Sequence, residues 1–276
     1  MSKVWLITGA SRGIGAEIVK AALNAGDKVI ATSRNAGAVA AALSDSAKIL
    51  SVTADVTVPK EVAGAVKAGL EHFGRIDVLV NNAGYALFGA AEECSADELE
   101  MAFRTNVLGL AEVTRAVLPT FRAQRSGHVF NLSSTAGLQG FPGASAYCAS
   151  KFAVEGYSES LAAELNPLGI HVTIVEPGYV RTGFLSSNSA AYAEKVIADY
   201  DATAGAVRRS VQAMDGHQTS DPKKLAQAIL VLADATEPPL RFTAGADAVE
   251  RLEHSLILKR RDLDRWRELS LSLAHD

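Results

Sequence analysis

Two cysteines, Cys94 and Cys148, are the only thiols in this 276-residue chain. They are too few for a disulfide framework or a thiolate metal cage. The six histidines are scattered, and none falls at a metal-ligand spacing such as His-Glu-x-x-His, so no metal is expected. No apolar run approaches the ~20 residues of a membrane-spanning helix. Net charge is also small: 27 basic against 31 acidic side chains leave −4, which argues against nucleic acid as a partner. Met1-Ser2-Lys3-Val4 leads straight into a strand-like run that leaves no room for a signal peptide, so a cytoplasmic protein is expected. No repeat, low-complexity tract or linker appears, and residues 1–276 read as one domain.

What is present is an alternation of short apolar runs and helical stripes. Val4-Trp5-Leu6-Ile7, Val29-Ile30-Ala31-Thr32, Ile49 to Thr53, Ile76 to Val80, His128 to Leu132 and Val172 to Val175 have the length and β-branched content of buried parallel strands. Leu240 to Thr243 is a candidate seventh strand. Between them lie helices. Pro59 opens one whose Val62, Val66, Leu70 and Phe73 form a stripe, and Ser95-x-x-Glu98 is a capping box for a helical region reaching about Ala123. Asn106 falls inside that region, where an asparagine is either incidental or holds a kink with its side chain turned inward.

The first strand runs into Thr8-Gly9-Ala10-Ser11-Arg12-Gly13-Ile14-Gly15 and then a helix. Such a strand, glycine loop and helix form a phosphate cradle. The glycines admit a pyrophosphate close to backbone, and the helix N-terminus presents free N–H groups and a positive dipole end. At the end of the second strand an acid would bind the 2′-hydroxyl of NAD, whereas an arginine accommodates the 2′-phosphate of NADP. Arg34 stands there, with Arg12 in the loop, so NADP(H) is expected ahead of NAD(H). Asp55 and Val56 end the third strand, where an adenine would lie, and Asn82, Ala83 and Gly84 form a small-residue turn after the fourth.

Tyr147 and Lys151 are one helical turn apart, on one face of a run reaching Leu165. An ammonium beside a phenol lowers a pKa normally near 10, giving a group that exchanges protons with an alcohol oxygen at neutral pH. Taken together, the glycine loop, Asn81-Asn82-Ala83-Gly84, Asn106, Ser134, Tyr147-x-x-x-Lys151 and Pro177-Gly178 resemble the short-chain dehydrogenase/reductase family over about residues 3–182. The run from Tyr147 to Ala153 looks like the branch acting on steroids, retinoids and other ketones.

The resemblance implies a single-domain α/β fold: a doubly wound Rossmann-type sheet of seven mostly parallel strands with helices on both faces. It implies Tyr147 as general acid or base, with Lys151 lowering its pKa and binding the nicotinamide ribose. Ser134, thirteen residues upstream, would hold the substrate oxygen, with Ser133 structural, and Asn106 would hold a water linking Lys151 to solvent. Pro177, Gly178, Val180 and Thr182 would contact the cofactor. The implied reaction is hydride exchange between NADP(H) and a small-molecule carbonyl or alcohol. The implied assembly is a homodimer, with a tetramer as the alternative. A catalytically silent dinucleotide-binding sensor and a tyrosine-dependent epimerase or dehydratase are the rival readings.

Beyond Thr182 the rhythm breaks. Residues 184–220 read as a substrate lid, in which Tyr192, Val196, Tyr200, Val207, Val211 and Met214 suggest one or two amphipathic helices. Phe141, Tyr179, Phe184 and Leu185 suggest an apolar pocket. Residues 247–276 read as a helical extension in which Leu252, Leu256, Leu263, Trp266 and Leu269 make packing contacts.

Overall fold

β1 (Val4–Thr8) is buried along its whole length, which is why its sequence is a continuous apolar run. Its side chains still alternate: Trp5 and Ile7 enter one core, Val4 and Leu6 the other. The computed structural model describes every residue except Met1, Ala36, Ala38, 40–46, Ser187, Asn188, His275 and Asp276.

Six further strands join β1: β2 (Lys28–Ser33), β3 (Ile49–Thr53), β4 (Val78–Asn81), β5 (Gly127–Leu132), β6 (Ile170–Pro177) and β7 (Arg241–Ala244). They form one sheet in the order β3-β2-β1-β4-β5-β6-β7, with every pairing parallel. Leu6 stands opposite both Ile30 and Leu79, which fixes the register at the centre. This is a Rossmann-type single-domain fold, with the order reversing between β1 and β4. Ligand crevices form outside the carboxyl ends of strands at such a reversal.

Helices cover both faces. On one, Ile18, Val19 and Ala22 of α1 (Gly13–Asn24) pack the sheet. The other is covered by α2 (Pro59–Phe73), with α3 (Ala96–Phe103) leading through a π-helical segment into α4 (Leu110–Gln124), and by α5 (Ser145–Leu165). Val62, Val117, Phe121 and Leu161 make that second core. The expected capping box opens α3: Ser95 Oγ accepts from Glu98 N at 3.2 Å and Glu98 accepts from Ser95 N at 2.7 Å. After β6 come α6 (Ala206–Met214), α7 (Pro222–Asp234), which adds Leu225 and Ile229 to the first core, and α8 (Ala246–Leu271). Among the described residues no helix is long and apolar enough to cross a membrane.

Two expectations need correction. The 184–220 excursion, of which Ser187 and Asn188 lie outside the described residues, holds one α-helix of more than a turn, within the one or two expected. Tyr192 belongs to a two-residue strand, because Ala191 N and Ala193 N bond the carbonyls of Ala86 and Phe88 at 2.8 Å. Val196 is 67% exposed. The C-terminal helix is present, but Leu256, Leu263, Trp266 and Leu269 are at least half exposed, because the helix runs off the body of the domain beyond about Arg260. Its periodicity marks an apolar stripe, and nothing among the described residues covers it.

Candidate active site

A cleft of ≈ 990 Å³ lies at the carboxyl edge of the sheet, over the strand-order reversal. The loop from β1 forms its floor. Gly9 takes a left-handed φ of +65°, and a Cβ there would stand 2.9 Å from Asn82 Nδ2 and 3.0 Å from Ala83 Cα, so only glycine lets the two loops close together. Gly13 has φ +59° at the start of α1, whose first turn offers unpaired N–H groups to an anion. Ser11, Arg12, Gly13 and Ile14 line the cleft.

Asn82 ties the cradle together. Its Nδ2 donates to the Thr8 and Gly9 carbonyls at 2.9 and 3.1 Å. Thr8 Oγ1 in turn accepts from the main-chain N–H of Asn82 and Ala83 at 3.0 and 3.1 Å. Gly15 does not line the cleft. It lies behind the loop, where a Cβ would fall 2.5 Å from Asn82 Nδ2, so its role is close packing. Arg34, Asp55 and Val56 line the far side beyond β2 and β3, and Asp55 accepts from Thr57 N and Oγ1 at 2.8 and 2.7 Å. Pro177, Gly178, Val180 and Thr182 line the opposite wall. Asp247, in the first turn of α8, accepts from Tyr179 N at 2.8 Å and so fastens that wall.

Tyr147, Lys151 and Ser134 converge at the other end of the same cleft. Ser134 caps the short turn Thr135–Gly137, accepting from Ala136 N at 3.1 Å. Ser133 also lines the cleft, but it is buried and turned toward the Glu155 side. Lys151 Nζ donates to the Leu132 carbonyl at 2.7 Å and sits 5.9 Å from the Tyr147 ring centroid.

Here the structure departs from expectation. Burial pushes the Tyr147 phenol up to about 12, and the neighbouring Ser134 hydroxyl only partly opposes it. Lys151 does not reverse that rise: its ammonium lies 5.9 Å from the ring centroid, bound to a carbonyl, and burial pulls its own pKa down to about 8. At neutral pH the pair is therefore a protonated phenol above a charged ammonium.

Asn106 does not line the cleft, and it is 1% exposed. It sits in the π-helical segment Arg104–Gly109, the kink anticipated for a mid-helix asparagine with its side chain inward. Its Oδ1 accepts from Tyr85 N at 3.0 Å, and its Nδ2 donates to Tyr85 O and Ser150 Oγ at 2.9 and 3.0 Å. Both amide hydrogens are thus committed to protein, and the side chain clamps the β4 turn to α5.

Other lining residues escaped the sequence reading: Ser33, Asn35, Thr57, Tyr85, Met101 and Thr105. Of the four residues expected to form an apolar pocket, Phe184 alone lines the cleft, with its ring 6.2 Å from that of Tyr147. Phe141, Tyr179 and Leu185 pack in the apolar cluster behind Tyr147, where Arg251 also stacks on Phe141 and Tyr179. The 184–220 excursion is fastened to the body by Glu93, which accepts from Ile197 N at 2.9 Å and pairs with Arg208 at 3.2 Å.

Comparison with known proteins agrees with this geometry. The short chain dehydrogenase family model matches residues 3–214. An oxidoreductase of Botryotinia fuckeliana, BOA17, is 42% identical over 276 residues, covering 99% of this chain and 100% of the relative. A solved short-chain dehydrogenase from Streptomyces avermitilis superposes with a TM-score of 0.91 at 40% identity over the whole of both chains. A short chain dehydrogenase/reductase from Burkholderia phymatum, solved in complex with NAD, superposes with a TM-score of 0.76 at 26% identity over 98% of this chain and 95% of that one.

Proposed function

The chain belongs to the short-chain dehydrogenase family, a family of oxidoreductases, and from that premise we propose that it interconverts a ketone or aldehyde with the matching alcohol using NADP(H). The observation that carries this reading is the convergence of Ser134, Tyr147 and Lys151 at one end of a cleft whose other end is the Gly9–Gly13 cradle. A dinucleotide suits the residues present. The α1 N-terminus would take the pyrophosphate, and Lys151 the nicotinamide ribose. Arg12 and Arg34, both at the exposed rim, would take a 2′-phosphate with no acid at the end of β2 to oppose it. The Burkholderia relative was solved with NAD, and Arg34 is the residue that argues for NADP(H) here.

When bound, the cofactor supplies the hydride. The chain supplies the electrostatics. Hydride addition builds negative charge on the carbonyl oxygen, and the Tyr147 phenol and Ser134 hydroxyl are two donors placed to stabilise it. With its pKa pushed up to about 12, Tyr147 is protonated at neutral pH, the state a general acid needs for carbonyl reduction. The Lys151 ammonium stabilises the phenolate left behind.

The substrate is read as a neutral apolar or aromatic carbonyl. Tyr85, Met101 and Phe184 line the cleft with Tyr147, and apart from Lys151 the charged residues among the described lining are Arg12, Arg34 and Asp55, all carried by the loops after β1, β2 and β3. The test follows reduced-nicotinamide absorbance with NADPH or NADH and ketones from small aliphatic to steroid-sized. NADPH oxidation with an apolar ketone class is expected. Tight NADPH binding without turnover on any ketone or matching alcohol would favour a sensor instead. A homodimer through the helices bearing Asn106 and Tyr147 is part of the proposal, supported by Leu108 and Phe152, 61% and 42% exposed on those helices. A monomer by light scattering would remove it.

A further inference from the structure

Behind Lys151 lies a buried charge cluster that the reaction as drawn leaves unused. Glu155 follows Lys151 by four residues on the same face of α5, and each is 6% exposed. Glu176 of β6, at 0%, faces it from the sheet, and Arg241 of β7 reaches both, 3.3 Å from Glu155 and 3.2 Å from Glu176. The same guanidinium pairs with Glu159, one turn further along α5 and 53% exposed. Thr243 donates to Glu176 at 2.6 Å. From the loop after β5, Ser133 offers Glu155 a hydroxyl, and a Cβ on Gly137 would stand 3.0 Å from the Glu155 carboxylate, so the loop seals the cluster closely. Lys259 of α8 turns away, to the Leu138 carbonyl at 3.3 Å.

Three carboxylates thus share one guanidinium, and Glu155 is held by charge rather than by well-formed hydrogen bonds to its oxygens. Buried carboxylates such as Glu155 and Glu176 are often no better for stability than apolar side chains of similar volume, which leaves room for another role. Burial pushes the Glu155 carboxyl up to about 7; Ser133 opposes that rise, Glu176 adds to it and Arg241 opposes it. Burial likewise pulls Lys151 down to about 8, and Glu155 is the group that resists this.

We propose that Glu155 is a positioning residue acting through Lys151: its carboxylate keeps the ammonium charged in a site that would otherwise strip the proton, while Arg241 and Glu176 hold the carboxylate in place. This rests on the reading of Tyr147 and Lys151 as the proton-handling pair. Above about pH 7 the Glu155 carboxylate is ionised and supports the ammonium, and as the pH rises through about 8 Lys151 loses its proton despite that support. Without Glu155 the loss comes earlier.

The test follows Lys151 itself, by NMR of its side-chain carbon in lysine-labelled protein, assigned against Lys151→Arg and titrated from about pH 6 to 10. In Glu155→Gln the titration midpoint is expected to fall by about one pH unit, and in Glu159→Gln, at the solvent edge, to stay in place. An unchanged midpoint in Glu155→Gln overturns the proposal. Glu155→Met, which needs no buried hydrogen bond, serves the same test if the glutamine variant fails to fold. With a carbonyl substrate in hand, the alkaline limb of kcat should move down with the midpoint while KM holds within about twofold, a split that a merely structural role would not produce. A shifted Lys151 midpoint without turnover on any carbonyl would leave this coupling standing and overturn the reductase reading instead.

Discussion

Asn106 Nδ2 donates to Ser150 Oγ at 3.0 Å, joining a π-helical turn to the helix that carries Tyr147 and Lys151. Ser150 is itself buried and donates to the Tyr147 carbonyl at 2.8 Å, so the bond reaches Tyr147 through one residue. Replacing Asn106 with alanine leaves Tyr85 N and O and Ser150 Oγ without their partner. The expected cost is about 1–3 kcal/mol of stability for the buried groups left unpaired. A loss of kcat of at least tenfold should accompany it, because the position of α5 is no longer pinned. Denaturant unfolding and steady-state kinetics on one preparation check both, and full stability with full turnover would show the clamp to be dispensable.

Arg34 stands at the end of β2 with no acid beside it in sequence, and it lines the cleft. Arg34→Asp is expected to lower the NADP/NAD ratio of kcat/KM by about 10–100-fold, the size of a lost charge-assisted hydrogen bond together with a new repulsion. An unchanged ratio would place cofactor choice elsewhere.

His128 is buried in β5, stacked on Phe130 at 3.9 Å and bonded to Thr173 Oγ1 at 2.9 Å. Burial pulls its pKa down to about 3, with His171 and Lys3 adding to the effect. Between about pH 3 and the unfolded value near 6.5, the unfolded chain binds the extra proton. Stability from this group is therefore complete above about 6.5 and is lost as the pH falls, by up to about 1.4 kcal/mol per unit. Glu155 works in the opposite sense: its raised pKa gives stability at low pH that fades as the pH rises from about 4.5 to about 7. The clean readout is therefore a difference between proteins. On going from pH 7.5 to about pH 5, the wild type should lose more Tm than His128→Gln. Parallel losses would mean that His128 is protonated inside the fold.

Much of this fold was legible in the sequence because parallel strands buried on both faces write themselves as unbroken apolar runs, and each of the seven was found within about two residues of its observed ends. The Ser95–Glu98 box and the Gly9–Gly15 loop were legible because their chemistry is local. What failed was non-local. Tyr192 sits at a helical spacing yet lies in a strand, since its neighbours' N–H groups pair with Ala86 and Phe88, a hundred residues away. The stripe of Leu256, Leu263, Trp266 and Leu269 was read as packed because periodicity reports which face is apolar and not what covers it. Tyr147 and Lys151 were correctly paired by spacing, but burial decides the phenol's pKa, and burial is invisible one helix at a time. The Glu155 cluster draws on α5, β6 and β7, and no single stretch of chain contains it.

The central claim is that Tyr147 is the proton donor to the carbonyl oxygen. The most direct measurement compares wild type with Tyr147→Phe for NADPH oxidation on the ketone that the panel selects, with NADPH affinity measured alongside by fluorescence. The account predicts a loss of kcat of about a thousandfold or more, with the cofactor Kd within a few-fold of wild type. Turnover in Tyr147→Phe close to that of wild type would contradict it.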